Sequence, residues 1–193
     1  MPVARPQVIS DERLLEVTGL VIGRLGPGFT LAEVAAEAGV AVGTVAKRFG
    51  SKQGLLAAMF RDATARTARL IREQAARART PVTALRAGLC AVYAEVGDAD
   101  TAANHLAQLG TDLADPELRE LLRQHFAAWE AELRVLVEAA APDLPGAPPT
   151  ATAARLLIAL ANGTALDWSL QPRGRLVDRM RRDINSVLEG WQR

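Results

Sequence analysis

Hydrophobic side chains recur every three or four residues along most of the chain, and this spacing predicts amphipathic helices. Ala, Leu, Arg and Glu dominate the sequence, and no alternating pattern typical of a strand lasts more than a few residues. The sequence therefore predicts an all-α fold of about nine helices, separated by glycine and proline. The predicted helices cover residues 11–25, 31–38, 42–49, 52–79, 81–96, 101–109, 116–140, 152–170 and 176–191.

Several of these helices carry a signal that fixes where they begin. Thr30 and Glu33 have the spacing of a capping box, Ser51 is placed as an N-cap, and Asp115 stands before a proline. Residues 141–150 hold four prolines, so they are predicted to form an exposed connector.

The last two helices carry more apolar surface than a single buried stripe needs. Helix 152–170 has two apolar faces, one of which carries Leu156, Ala159, Gly163, Leu166 and Leu170. The excess predicts a subunit interface, although both helices could instead pack against the protein's own core. The predicted interface residues are Leu157, Leu160, Thr164, Trp168, Ile184 and Leu188.

Charge is distributed unevenly along the chain. The formal net charge is only +1, but residues 1–80 carry a net +5 and residues 81–193 a net −4. The basic first part favours a polyanionic partner, while an ordinary solvated surface could carry the same modest charge. The only two lysines, Lys47 and Lys52, lie in a segment that has no acidic residue between Glu37 and Asp62.

Hydropathy and cysteine content bear on the compartment. The longest stretches without a charged residue have 11 residues, short of the roughly 20 that cross a bilayer. Residues 1–10 lack the apolar segment of a signal peptide, and the single cysteine, Cys90, lies in an apolar run that favours a buried thiol. We therefore expect a cytoplasmic protein with no membrane partner.

Nothing in the sequence favours an enzyme. His105 and His125 are the only histidines, and no Cys or His pair has metal-ligand spacing. There is neither a glycine-rich phosphate loop nor a nucleophile elbow. We expect no catalytic residue, no metal and no cofactor.

Helices 31–38 and 42–49 have the layout of a helix-turn-helix, with a corner at Gly39 and a second helix that can enter a DNA major groove. Lys52 stands in the first turn of the next helix, where the helix dipole opposes a cation by about 0.3–1 kcal/mol. A DNA phosphate beside that turn would reverse the effect, because the ammonium and the free amides would attract the same anion.

Residues 14–60 resemble the N-terminal DNA-binding domain of TetR-family transcriptional regulators. The resemblance is carried by Thr30-Leu-Ala-Glu-Val-Ala-Ala-Glu-Ala-Gly-Val-Ala-Val-Gly-Thr-Val-Ala-Lys-Arg-Phe49, followed by Gly-Ser-Lys-Gln-Gly-Leu-Leu56. Residues 160–168 and the last helix are similar to the paired C-terminal helices through which such regulators dimerise. The resemblance implies a DNA-binding domain at residues 1–50 and an effector-binding and dimerisation domain at residues 51–193.

The resemblance also implies which residues meet DNA, although each could instead lie on a solvated helix face. They are Thr30, Ala41, Val42, Thr44, Lys47, Arg48 and Lys52. The family usually has Ser or a similar cap at the position of Ala41 and Tyr at that of Ala46, so up to two phosphate contacts would be absent here. The fork-shaped donor set of Arg48 could compensate for them.

In the family, a small molecule fills a cavity among the middle helices and changes the separation of two recognition helices that bind successive major grooves about 34 Å apart. Polar or aromatic groups on otherwise apolar helices are candidates for the lining here, although each could be ordinary packing or surface. The candidates are Tyr93, Asn104, His105, Gln108, Phe126 and Trp129. The acidic charge of residues 81–193 favours a neutral or cationic effector.

The sequence thus predicts a homodimeric, ligand-responsive regulator of transcription. It would act as a repressor that binds a palindromic operator in double-stranded DNA and is released by an unknown small-molecule effector. The alternative is a helical dimeric module for protein interaction or small-molecule sensing with weakened sequence-specific DNA binding, which Ala41 and Ala46 favour.

Overall fold

The computed structural model describes residues 9–94 and 96–193, and within these ranges the chain forms nine α-helices. Residues 1–8 of the predicted first domain and residue 95 of the predicted 81–96 helix lie outside the described residues. The helices are α1 (Asp11–Leu25), α2 (Leu31–Ala38), α3 (Val42–Phe49), α4 (Lys52–Ala76), α5 (Pro81–Ala91), α6 (Ala99–Ala114), α7 (Pro116–Ala140), α8 (Thr150–Leu170) and α9 (Leu176–Trp191).

The predicted all-α fold is confirmed, and the main differences in helix bounds lie between α5 and α6. Helix α5 ends at Ala91 rather than at residue 96. Beyond it, the Tyr93 hydroxyl donates to Asn162 Oδ1 at 2.6 Å, a contact with α8 that local sequence does not show. Asp98 caps α6 by accepting the Thr101 N–H at 2.8 Å. Helix α6 therefore starts before residue 101, and it runs on to Ala114.

Two hydrophobic cores share the long helix α4. Helices α1 to α3 enclose the smaller core, to which α4 adds Leu55 and Leu56 from its first turns. Further along, α4 contributes Ile71 to the larger core of the α5–α9 bundle. Helix α6 packs against both α1 and α8, so it joins the two parts of the molecule as well.

The predicted interface stripe is corrected by the structure. Five of its residues are buried inside the single chain, including Leu157 at 0% exposure. The Thr164 hydroxyl donates to Asp183 on α9 at 2.9 Å, and the Trp168 indole N–H donates to the Gly174 carbonyl at 3.1 Å. These side chains pack α8 against α9 and the loop between them, so they are not part of the surface of the single chain. The five residues are Leu157, Thr164, Trp168, Ile184 and Leu188, whereas Leu160 is half-buried.

The second apolar face of α8 is the exposed one. Leu156 is 42% exposed, Leu166 49% and Leu170 72%. Ala159 and Gly163 lie between them and are exposed too, and a Cβ at Gly163 would meet no atom within 4 Å. These five residues form the α8 outer face. In the described ranges, no helix is long and apolar enough to span a membrane.

Candidate functional site

The turn between α2 and α3 is set by one glycine. Gly39 adopts φ 68°, a left-handed conformation that favours glycine. The Gly39 N–H donates to the Ala36 carbonyl, and the Val40 N–H donates to the Ala35 carbonyl at 2.9 Å, which is a Schellman motif. It ends α2 abruptly and leads directly into α3, as a helix-turn-helix requires.

Helix α3 places one residue in the core and presents the opposite side to solvent. Val45 is fully buried and anchors the helix against α1, α2 and α4. Ala41, Val42 and Lys47 are exposed, and Thr44 is half-buried beside them. The α3 outer surface, made of Val42, Gly43, Thr44 and Lys47, is therefore small, weakly polar and carries one cation.

Two of the predicted DNA-contact cations have partners inside the protein. Arg48 Nη1 donates to the Ile9 carbonyl at 2.6 Å and to Asp11 Oδ1 at 2.9 Å, which ties α3 to the start of α1. The Lys52 ammonium donates to the carbonyls of Pro27 and, at 2.7 Å, of Phe29.

The Lys52 ammonium also lies 4.2 Å from the centre of the Phe29 ring, a cation–π geometry. Its pKa is lowered by desolvation. The two carbonyls and the Phe29 ring thus offset the unfavourable interaction of the Lys52 cation with the dipole of α4. From the sequence alone, the same cation was explained by a DNA phosphate.

Thr30 and Ala41 stand at the starts of the two helices of the motif. Thr30 forms the predicted capping box: its hydroxyl accepts the Glu33 N–H, and Glu33 Oε2 accepts the Thr30 N–H at 2.7 Å. Ala41 gives α3 no side-chain cap, so its first amides are not bonded by a cap side chain. Free amides at a helix N-terminus can bind a phosphate.

Gly54 lets α3 and α4 come together. A Cβ at this residue would lie 2.0 Å from the Phe49 carbonyl oxygen, a separation that no side chain can adopt. The Ser51 hydroxyl accepts the Gly54 N–H at 3.0 Å and caps α4 at the same point, as the sequence predicts. The close approach fixes the direction of α3 relative to α4.

Two cavities with shared walls lie where α1, α4 and α6 meet. A cavity of about 210 Å³ is lined by apolar residues of α1 and α4 and by His105, Gln108 and Asp112 of α6. A wider cavity of about 770 Å³ continues from it towards α5 and α8 and includes Tyr93 and Asn162. His105 lines both, and burial lowers the pKa of its imidazole.

The other predicted ligand residues lie elsewhere. Asn104 donates to the Gly23 carbonyl at 2.9 Å, so it ties α6 to the end of α1. Trp129 is buried in the larger core, 5.7 Å from the ring of Phe126. Phe126 lines a separate surface groove between α6 and α7. Of the six candidates, the structure brings Tyr93, His105 and Gln108 to the two adjoining cavities.

Asp112 is a lining residue that sequence reasoning missed. It is 3% exposed, and its Oδ1 accepts a hydrogen bond from Gln108 Nε2 at 2.7 Å. Burial raises the pKa of this carboxyl group. The signal was present, since Asp112 follows Gln108 by four residues and so lies on the same face of α6.

Comparisons with known proteins agree with this arrangement. The model of "Bacterial regulatory proteins, tetR family" matches residues 21–59, and that of "BetI-type transcriptional repressor, C-terminal" matches residues 85–191. The chain therefore belongs to the TetR family of transcriptional regulators. A search of curated proteins finds no match.

Solved structures share the fold over nearly the whole chain. A transcriptional regulator from Rhodococcus sp. Rha1 is 26% identical with a TM-score of 0.73, covering 96% of this chain and 99% of that one. The regulator FadR from Bacillus subtilis, in complex with stearoyl-CoA, is 16% identical with a TM-score of 0.73, covering 94% and 99%. A Saccharomonospora viridis protein in complex with choline is 20% identical with a TM-score of 0.74, covering 93% and 95%.

Proposed function

We propose that this chain is a cytoplasmic repressor that binds a palindromic operator as a homodimer and is released by a small-molecule effector. Residues 1–50 would bind DNA, and residues 51–193 would bind the effector and form the dimer. No catalytic step is assigned to it. The observation that carries the proposal is the exposed α3 outer surface, fixed by Val45 on one side and by the close approach at Gly54 on the other.

The chemistry of the α3 outer surface suits a major groove. Val42 can contact the methyl group of thymine, and the Thr44 hydroxyl can bond to a base edge or a phosphate. The cation on this surface is Lys47. It is exposed, and it forms no ion pair among the described residues. The phosphate attraction would therefore come from Lys47 and from the uncapped amides that follow Ala41.

The proposed dimer uses the α8 outer face. A stripe of three exposed leucines around Ala159 and Gly163 leaves room for close approach by the same helix of a second chain. A symmetric pair would present two copies of α3, as a palindromic operator requires.

The proposed effector site is the pair of cavities between α1, α4 and α6. A molecule there would touch α1 and α4 directly, and both helices also build the core that holds α3. Filling the cavity can therefore change the separation of the two α3 helices and lower operator affinity. Two proteins of this fold are bound to ligands as different as stearoyl-CoA and choline, which supports a small-molecule effector without indicating its class.

Fluorescence anisotropy with labelled DNA from beside the protein's own gene tests the proposal. We expect tight, salt-dependent binding to an inverted repeat. Replacement of Lys47 by Gln should weaken it and reduce the slope of log K against log salt by about two, one for each chain of the dimer. Arg69→Gln removes an exposed cation from α4 and is the matched control, with little change expected. Binding no tighter than to random DNA would reject the proposal.

A protein-interaction module remains the second candidate, because the structure commits Arg48 and Lys52 to internal partners. Few free cations then remain for phosphates near α3. This candidate predicts weak binding to every DNA sequence, with no preference for the inverted repeat. The same titration separates the two functions.

A further inference from the structure

The buried polar pair of Gln108 and Asp112 has hydrogen-bonding capacity that the protein does not use. Gln108 is 5% exposed and donates through Nε2 to Asp112. Its carbonyl oxygen, Oε1, is buried and has no hydrogen-bond partner in the described part of the chain. Both residues line the 210 Å³ cavity between α1, α4 and α6. The wall of the cavity thus contains an unpaired carbonyl oxygen and a carboxylate, which are hydrogen-bond acceptors.

The other charged groups around the cavity leave this acceptor pair negative. Arg66 and Asp62 of α4 both line the cavity and lie 3.9 Å apart, so their charges offset each other. Burial lowers the pKa of the His105 imidazole and so favours its neutral form. The Lys52 ammonium donates to the carbonyls of Pro27 and Phe29 rather than to Asp112. Its charge still attracts the Asp112 carboxylate, and the charge of Asp115 opposes that attraction.

The rest of the wall is apolar. Helix α1 contributes Leu15 and Ile22, and α4 contributes Leu56, Met59 and Phe60. A molecule that fills the cavity therefore needs a hydrocarbon part and one head group that donates hydrogen bonds.

We propose that the effector is a small amphipathic molecule whose hydrogen-bond-donating cation, a primary ammonium or an amidinium, binds Asp112 and Gln108 with its hydrocarbon part against α1 and α4. This inference rests on the proposed function, in which the cavity is the effector site. One N–H of the cation would bond to the Asp112 carboxylate, and another to Gln108 Oε1. An anionic head would be repelled by Asp112, and a quaternary ammonium has no N–H to give Gln108.

Isothermal titration calorimetry on the full chain at pH 7 tests the proposal with four probes that share one tail. These are hexylamine, hexanol, hexanoate and hexyltrimethylammonium. We expect hexylamine to bind at least tenfold more tightly than the other three. The Asp112→Asn variant should lose at least tenfold in hexylamine affinity and keep its affinity for hexanol. Gln108→Leu should lose a smaller factor, since the carboxylate remains.

Asp143→Asn makes the same chemical change on an exposed turn outside the cavity and is the matched control. It should bind hexylamine as the unchanged protein does. Equal binding of hexanoate or of hexyltrimethylammonium, undiminished hexylamine binding by Asp112→Asn, or no binding of any probe would overturn the proposal. If circular dichroism shows that Asp112→Asn does not fold, the Gln108→Leu variant provides the test instead. Unchanged hexylamine affinity in Gln108→Leu would then overturn the proposal.

A DNA titration without amine tests the proposed function independently of the proposed effector class. Operator binding that hexylamine does not weaken, together with Asp112-dependent amine binding, would leave the site in place and remove its role in release. Amine binding without any operator binding would reject the proposed function alone. Operator binding without amine binding would reject the ligand class alone.

Discussion

The Asp112 carboxyl group makes stability depend on pH in a direction that its burial dictates. Burial raises its folded-state pKa, so the folded chain holds the proton more tightly than the unfolded chain does. Its contribution is therefore fully present below the unfolded pKa of about 3.9 and is lost as the pH rises through the folded pKa. We expect Asp112→Asn to gain stability relative to the unchanged protein between about pH 4 and pH 7. Urea unfolding of both proteins at each pH measures this, and a constant difference would contradict it.

Lys52 and Lys47 form a matched pair for separating stability from DNA binding. Lys52 donates to the backbone carbonyls of Pro27 and Phe29, which lie in the turn between α1 and α2. Lys47, in contrast, is exposed on α3. Because hydrogen bonds from a charged donor contribute about 1.5–3 kcal/mol, we expect Lys52→Met to lower the free energy of unfolding by at least about 1 kcal/mol. Lys47→Met should change it by less than about 0.5 kcal/mol. Equal stabilities by urea unfolding would show that the Lys52 contacts contribute nothing.

At the scale of the helix, Gly54 controls how α3 sits on α4. Gly54→Ala would press a methyl group onto the Phe49 carbonyl, and relief requires the two helices to move apart. Overpacking of this kind costs about 1–3 kcal/mol, so we expect a lower melting temperature and weaker operator binding together. Gly19→Ala in α1 meets no atom within 4 Å and should instead stabilise by up to about 1 kcal/mol. A Gly54→Ala protein as stable as Gly19→Ala would show that α3 and α4 are not held at this point.

The helix ends that the sequence predicted best are those determined by residues close to them in the chain. The capping box at Thr30, the glycine turn at Gly39 and the cap at Asp115 all act within five residues. The end of α5 could not be found in this way. Just beyond it, Tyr93 bonds to Asn162, 69 residues away along the chain, and local sequence does not show such a contact.

For the candidate site too, the sequence predicted local patterns but not the contacts between distant segments. Periodicity shows that α8 has two apolar faces, but it cannot say which face the chain's own core takes, and the buried face was predicted as the interface. Likewise, the carbonyls that accept hydrogen bonds from Lys52 lie more than 20 residues before it in the chain. The sequence alone therefore explained a lysine at the start of α4 by a DNA phosphate. The positions of functional side chains follow from packing between helices, which residue spacing does not specify.

At the scale of the whole molecule, the α8 outer face determines whether two α3 helices can act on one operator. Leu156 and Leu166 are each nearly half exposed, so a single chain tolerates a charge there, whereas a dimer would bury that charge. We expect Leu166→Glu, alone or with Leu156→Glu, to give a folded monomer by sizing chromatography and circular dichroism. Operator binding should weaken at least tenfold in the same variants, because one α3 loses the contribution of the other.

Two comparisons make the dimer experiment specific to this face. Leu25→Glu alters a leucine of α1 with similar exposure, 40%, and should leave the protein dimeric. Leu157→Glu places a charge in the larger core, where the side chain is fully buried, so we expect unfolding rather than a monomer. A Leu156→Glu, Leu166→Glu protein that stays dimeric would mean that the second chain binds elsewhere, and the spacing of the two α3 helices would then have a different origin.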